Sequence, residues 1–118
     1  ERDKDVLKVG GENVSAKEVE DMCRRVAGIA DVAVVGRSHP MLDVVPVAFV
    51  IRRPDAPAAE EMEQQILEVT RENLSDFKVP RAVYFVDDFP RATLDKVAKN
   101  KLRDLAEEQP APPEFRRR

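Results

Sequence analysis

Four short runs of apolar, mostly β-branched residues predict four β-strands. They lie at residues 6–9, 32–35, 47–51 and 82–86. Gly10 and Gly11 follow the first run, and Gly36 follows the second. The intervening loop, residues 37–45, is short enough for the second and third strands to pair in antiparallel fashion.

Between these runs, apolar residues recur every three or four positions, as they do along one face of a helix. The first helix is predicted from Val19, Met22, Cys23 and Val26. Gly28 is predicted to end it. Ser15, three residues before Glu18, predicts a capping box in which the Glu side chain reaches back to the helix start. Two later helices are indicated by Met62, Ile66, Val69, Ala98, Leu102 and Leu105.

The resulting order, β-α-β-β-α-β-α, predicts a small α+β fold. We expect a mainly antiparallel sheet covered by two to three helices on one face. The 118 residues suit one domain. A chain of this size buries roughly 65% of its extended surface, so a core can form without metal or disulfide. The domain is predicted to span residues 6–107, followed by a disordered Pro- and Arg-rich tail at 108–118.

Composition and charge limit the possible partners and compartments. The net charge of −3 gives no reason to expect a nucleic-acid partner. No apolar run approaches the roughly 20 residues of a transmembrane helix, so no integral membrane segment is expected. The single cysteine, Cys23, cannot form an intramolecular disulfide, which suits a reducing compartment such as the cytoplasm.

The residues alone offer little for metal or nucleophilic chemistry. One His and one Cys do not give a familiar zinc-site spacing, so no metal site is predicted. Cys23 lies on an apolar stripe and is predicted to be a core residue. His39, which precedes a proline, is predicted to be an exposed or hydrogen-bonded loop residue. No arrangement of Ser, His and Asp suggests a catalytic triad.

Two segments could meet an anion. Gly10 and Gly11 lie between a strand and a capped helix and could form a phosphate cradle, although a simple turn is the more common explanation. Residues 89–96 form a proline-containing loop that ends at Lys96, and further cations follow at Lys99, Lys101 and Arg103. Charge alone favours a solvated basic face here.

Three segments together resemble one family. Residues 2–20, RDKDVLKVGGENVSAKEVE, resemble the segment GRxKDxIKxGGENVxPxEVE of adenylate-forming enzymes. Residues 32–36 and 46–50 match the strand pair that follows it. Residues 77–103, FKVPRAVYFVDDFPRATLDKVAKNKLR, are similar to the closing YKVPRxVxFVDxLPRTxxGKIxKxxLR. The chain is thereby identified as a C-terminal domain of the adenylate-forming (AMP-binding) superfamily, in its acyl-CoA synthetase branch.

This resemblance implies a two-step reaction. Such enzymes make an acyl-adenylate from a carboxylic acid and ATP, release pyrophosphate, and then transfer the acyl group to CoA. A large N-terminal domain holds most of the ATP, Mg and acid sites, and the small C-terminal domain rotates between the half-reactions. The resemblance therefore implies that this chain needs its own N-terminal adenylation domain and has no ligase activity alone.

The resemblance also assigns roles to individual residues. Lys96 resembles the lysine that enters the site for adenylation. Lys4 matches the hinge, within a hinge region at residues 1–5, and Arg2 matches an arginine near the nucleotide. Gly10 and Gly11 match the loop along which the pantetheine chain of CoA passes.

Several positions depart from the family pattern. Ala92 and Asp95 replace the usual Thr and Gly around Lys96, and Asp43 replaces a turn Gly. Lys99 matches a weaker family position. The GGENV segment and the Phe-Pro-Arg loop favour a fatty-acyl or carnitine-type CoA ligase, and hence a role in lipid metabolism.

Two alternatives belong to other classes. The order β-α-β-β-α-β also occurs in ferredoxin-like modules that bind ligands or RNA. An RNA-binding sheet needs exposed aromatic residues, and these strands offer only Phe49, Tyr84 and Phe85. The other alternative is an interaction domain in which Lys96 has no catalytic role.

Overall fold

The computed structural model describes residues 5–92 and 96–110. Its elements, in chain order, are β1 (Val6–Val9), β2 (Glu12–Ser15), α1 (Ala16–Cys23), β3 (Ile29–His39), β4 (Asp43–Arg52), α2 (Ala59–Asn73), a short 3-10 turn (Asp76–Lys78), β5 (Val83–Phe85) and α3 (Lys99–Glu108). None of the helices in the described ranges is long and apolar enough to cross a membrane.

Strand β4 is the centre of a five-stranded sheet. One of its edges pairs antiparallel with β3 along nearly the whole strand. Its other edge is shared: β1 pairs antiparallel at Asp43, and β5 pairs parallel at residues 48–50. Strand β2 extends the sheet beyond β1 as an antiparallel hairpin. The predicted α+β fold with a mainly antiparallel sheet is confirmed.

The helices cover both faces of this sheet. Val32 and Val34 of β3 belong to a core with α1 and α2, whereas Ala33 and Val35 belong to a second core with α3. The expectation that all helices would lie on one face was therefore wrong. Because β3 and β4 are buried on both faces, their apolar residues form continuous runs rather than an alternating pattern.

The C-terminal end of α3 is fixed against the end of β3. The guanidinium of Arg37 donates hydrogen bonds to the carbonyl oxygens of Ala106 and Gln109. The Glu107 carboxylate accepts a 2.8 Å hydrogen bond from the backbone N–H of Ser38, and this bond lowers the pKa of Glu107. These contacts position α3 over the second core.

Several predicted boundaries differ from the structure. Strand β2 was missed, and the predicted 37–45 loop is mostly strand, because the polar ends of β3 and β4 continue to pair as far as His39 and Asp43. Helix α1 ends at Cys23, not at Gly28. Helix α3 continues to Glu108, one residue into the predicted tail, whereas residues 111–118 lie outside the described part of the chain.

Candidate functional site

Gly10 and Gly11 form the two-residue turn of the β1–β2 hairpin. Val9 pairs with Glu12 across the turn, and both glycines have positive φ, 57° and 88°. A two-residue turn of this kind needs positive φ at both central positions, which glycine adopts without steric cost. The pair lies between a strand and the capped helix, as predicted, but β2 separates it from the helix.

The two glycines differ in their surroundings. The backbone N–H of Gly10 donates a 2.9 Å hydrogen bond to the carbonyl of Leu42, in the loop between β3 and β4. A Cβ added to Gly10 would lie 2.9 Å from Leu42 Cδ2, whereas one added to Gly11 would meet no atom within 4 Å. Gly10 is therefore packed against the neighbouring loop, and Gly11 borders open space.

Asp43, the first residue of β4, directly follows that loop and has a left-handed backbone conformation. Its φ is 74°, the single positive φ of a non-glycine residue in the described ranges. In the family pattern that the sequence resembles, this position is a turn glycine. The positive φ explains that preference, because glycine adopts this conformation without steric cost. Aspartate is one of the few residues other than glycine that tolerate this region.

Lys96 lies at the base of a loop closed by backbone hydrogen bonds. The carbonyl of Lys96 accepts a 2.8 Å bond from the N–H of Ala92, and the carbonyl of Pro90 accepts one of 2.8 Å from Ala98. Arg91 and Val97 form an isolated antiparallel bridge. The ends of this loop are therefore fixed, although residues 93–95, including Asp95, lie outside the described ranges.

The core holds this loop on both sides. Phe89 and Ala98 are each 3% exposed, and Val97 packs against the same core as α3. Lys96 itself is exposed, and its side chain forms no hydrogen bond or ion pair with any described residue. The arrangement presents a cation on a fixed backbone.

Lys99, three residues further on, is held in a different way. Its Nζ forms ion pairs with the carboxylates of Asp5 and Glu20, the latter at 2.6 Å, and donates to the Val34 carbonyl at 3.2 Å. This cluster was missed at the sequence level. One signal could have indicated it: Glu20 lies on the buried face of α1, with Ala16, Val19 and Cys23.

The capping box predicted for α1 forms only in part. The backbone N–H of Glu18 donates to Ser15 Oγ at 3.2 Å, as predicted. Its carboxylate, however, pairs with Lys78 at 3.0 Å instead of reaching back to the helix start. The second half of the predicted capping box is therefore replaced by a contact to the 3-10 turn.

The remaining candidates divide between described and undescribed residues. Arg2 and Lys4 lie outside the described ranges. Cys23 is a core residue, as predicted. Burial, assisted by the Glu20 charge, raises the pKa of its thiol to about 12.

His39 is a hydrogen-bonded residue at the end of β3. Its Nδ1 accepts hydrogen bonds from the N–H groups of Met41 and Leu42. In residues 5–92 and 96–110, no group of three or more His, Cys, Asp or Glu is placed to hold a metal ion.

One protein family matches this chain over most of the domain. Residues 18–96 match the family described as the AMP-binding enzyme C-terminal domain. The chain belongs to this family. The predicted membership in the adenylate-forming superfamily is therefore confirmed, and the ferredoxin-like alternative is not supported.

The relatives of this AMP-binding C-terminal domain are CoA ligases. It is 43% identical over 105 residues to the 3-[(3aS,4S,7aS)-7a-methyl-1,5-dioxo-octahydro-1H-inden-4-yl]propanoyl:CoA ligase of Mycobacterium tuberculosis, covering 89% of this chain and 20% of that protein. It is 35% identical over 114 residues to the peroxisomal benzoate–CoA ligase of Arabidopsis thaliana, covering 90% and 20%. The chain therefore spans about one fifth of the length of these relatives.

A solved structure shows the same fold. The apo form of MatB from Rhodopseudomonas palustris superposes with a TM-score of 0.82 at 37% identity, over 91% of this chain and 21% of that one. The architecture described above is thus that of the small C-terminal domain of an adenylate-forming enzyme.

Proposed function

We propose that this chain is the mobile C-terminal domain of an ATP-dependent acyl-CoA ligase. The complete enzyme would convert a carboxylic acid, ATP and CoA to acyl-CoA, AMP and pyrophosphate. The observation that carries the proposal is the exposed Lys96 on its closed loop, in a domain whose relatives are CoA ligases. Its neighbour Lys99 is occupied by two carboxylates and is not available for the same role.

In the first half-reaction, a carboxylate oxygen of the acid attacks the α-phosphorus of ATP, and pyrophosphate leaves. Negative charge from both reactants accumulates around that phosphorus in the transition state. The ammonium of Lys96 would lie beside it and offset this charge. A lysine on a flexible four-carbon stem suits a residue that must enter and leave the site, and the hydrogen-bonded loop ends fix its backbone.

In the second half-reaction, the CoA thiol attacks the acyl carbonyl carbon, and AMP leaves. We place the Gly10–Gly11 turn along the path of the pantetheine chain. The open space beside Gly11 supports this assignment, because a thin ligand can approach backbone that carries no side chain. The hairpin gives the turn a fixed shape.

Rotation between the two half-reactions is assigned to Lys4 as the hinge, with residues 1–5 as the hinge region. Arg2 would contact the nucleotide. Both assignments rest on the sequence resemblance. ATP, Mg and the acid would be held mainly by an N-terminal adenylation domain, and the isolated 118-residue chain would have no ligase activity.

For the acid, we propose the fatty-acyl or carnitine-type class, and hence a place in lipid metabolism. We also propose the cytoplasm, where the free thiol of Cys23 would remain reduced. A panel of medium- and long-chain fatty acids, carnitine-type acids and aromatic acids, compared by kcat/KM in the ligase that contains this chain, tests the assignment. Faster turnover of the aromatic acids would contradict it.

The role of Lys96 is tested by Lys96→Ala in that ligase, with the half-reactions assayed separately. Pyrophosphate release from acid and ATP is expected to fall by roughly 100-fold or more, which is about 3 kcal/mol of transition-state stabilisation. Thioester formation from preformed acyl-adenylate and CoA should be unchanged. Lys101→Ala, at an exposed lysine on α3, is the matched control and should affect neither step. If both steps survive Lys96→Ala, the domain acts without this lysine and the interaction-domain interpretation gains support.

A further inference from the structure

The ammonium of Lys99 joins two segments that are distant in sequence. It pairs with Asp5, 94 residues away, and with Glu20, 79 residues away. The side chains of Lys99 and Glu20 are only 22% and 11% exposed, and that of Asp5 is 39% exposed. Partial burial reduces the screening of these charges by water and salt.

Each member of this cluster is also fixed by the backbone. The Glu20 carboxylate accepts a 2.8 Å hydrogen bond from the N–H of Val34, whose carbonyl accepts from Lys99. The Asp5 carbonyl accepts a 3.1 Å bond from the N–H of Ala16, at the start of α1. Asp5 is therefore held to the domain by both its main chain and its side chain.

The two ends of the cluster adjoin the two functional segments proposed above. Asp5 directly follows Lys4, the proposed hinge, and Lys99 begins α3 directly after the loop that carries Lys96. Between the two lysines, Val97 packs against the second core and Ala98 is buried. The ion pair of Asp5 with Lys99 thus joins the first residue after the hinge directly to the base of the Lys96 loop.

We propose that Asp5 and Lys99 are positioning residues for the adenylation step. Their ion pair makes the first residue after the hinge and the base of the Lys96 loop move as one body, so that rotation at the hinge carries Lys96 to a fixed place. This inference rests on the proposed function, because it concerns the same lysine. Asp5 and Lys99 would be the residues through which rotation at the hinge moves Lys96.

The Gly10–Gly11 turn, proposed above to lie along the path of CoA, does not depend on this ion pair. Strand β1 runs directly from Asp5 to the Gly10–Gly11 turn and is held by its own ladder with β2 and by the contact of Gly10 with Leu42. Loss of the Asp5–Lys99 pair should therefore disturb Lys96 and leave the CoA-side turn in place. A merely stabilising ion pair would affect both half-reactions alike.

The test uses Asp5→Asn in the ligase that contains this chain, with single-turnover assays of each half-reaction. Adenylation is expected to slow by roughly 10- to 100-fold, the effect of a small misplacement of a catalytic group. Thioester formation should stay within about twofold, because the CoA-side turn is held independently of this ion pair. Asp5→Glu, which keeps the carboxylate, should restore part of the adenylation rate. Asp21→Asn, which removes the two exposed ion pairs of Asp21 with Lys17 and Arg24, should change neither rate.

A double variant separates positioning from other effects. If Asp5 acts through Lys96, then Asp5→Asn combined with Lys96→Ala should adenylate no more slowly than Lys96→Ala alone. Additive losses, equal slowing of both half-reactions, or no slowing would each overturn the inference. If Lys96→Ala itself leaves adenylation intact, the proposed function fails, and this result is distinguishable from a failure of Asp5→Asn alone.

Discussion

Lys96 and Lys99 lie three residues apart, yet the ammonium of Lys99 is enclosed by Asp5 and Glu20, whereas the side chain of Lys96 is exposed. Two chemically identical side chains therefore have different surroundings. Lys99 could meet a ligand only by breaking ion pairs within its own domain. Lys96 has no such contact with the described residues to break.

This division predicts opposite effects on stability. Lys99→Gln should lower the free energy of unfolding by about 1–3 kcal/mol, because it leaves the Asp5 and Glu20 carboxylates partly buried without their cation. Lys96→Gln, at an exposed position, should change it by no more than about 0.5 kcal/mol. Urea unfolding of the 118-residue chain measures both. Equal effects of the two substitutions would contradict the ion-pair geometry.

The two turn glycines should respond differently to alanine. Gly10→Ala and Gly11→Ala each place a Cβ in a left-handed conformation, at about 1–2 kcal/mol. Gly10→Ala adds the 2.9 Å contact with Leu42 Cδ2 and should be the more destabilising. Leu42→Ala removes that contact, so it should recover part of the loss in Gly10→Ala and none in Gly11→Ala. A double-mutant cycle by urea unfolding measures this coupling; identical behaviour of the two glycines would contradict it.

At Asp43, glycine is expected to stabilise the fold. The φ of 74° carries a steric cost that Asp43→Gly removes, and the larger entropy of the unfolded chain offsets only part of this gain. We expect an increase of about 0.5–1 kcal/mol in the free energy of unfolding. Asp43→Val should instead lower it by about 1–2 kcal/mol, since a β-branched residue does not tolerate this region. Thermal unfolding of the three proteins gives the order.

The buried thiol of Cys23 predicts a loss of stability at high pH. Burial raises its pKa to about 12, whereas the pKa of a thiol in an unfolded chain is about 8.5. Above that lower value the unfolded chain releases a proton that the folded chain retains, so stability falls as the pH rises. The contribution approaches about 1.4 kcal/mol per pH unit. Urea unfolding between pH 7.5 and about pH 10 should show this slope, and Cys23→Ala should flatten it. Equal slopes would contradict a buried, neutral thiol.

The sequence was informative where local chemistry decides the structure. Ser15 was identified as a helix cap, and its hydroxyl accepts the N–H of Glu18. Cys23 was predicted to lie in the core from its place on the apolar stripe. Lys96 was singled out by its motif, and the structure shows its side chain exposed on a closed loop.

It was less informative where distant residues decide. Strand β2 has only Val14 buried, so it shows no periodicity, although two glycines between short strands are a known hairpin signal. The polar residues at the end of β3 are in strand conformation because β4 pairs with them. The partnership of Lys99 with Asp5 spans 94 residues and leaves no pattern within any local window.

The closing of the second sheet face by α3 has a consequence for synthesis on the ribosome. Ala33, Val35, Val47 and Phe49 are translated long before Leu102 and Ala106, the α3 residues that cover them. The first face can be covered earlier by α1 and α2. A nascent chain therefore carries an open apolar surface until α3 has left the exit tunnel. During that interval this half-covered sheet is the part of the domain that most needs a chaperone.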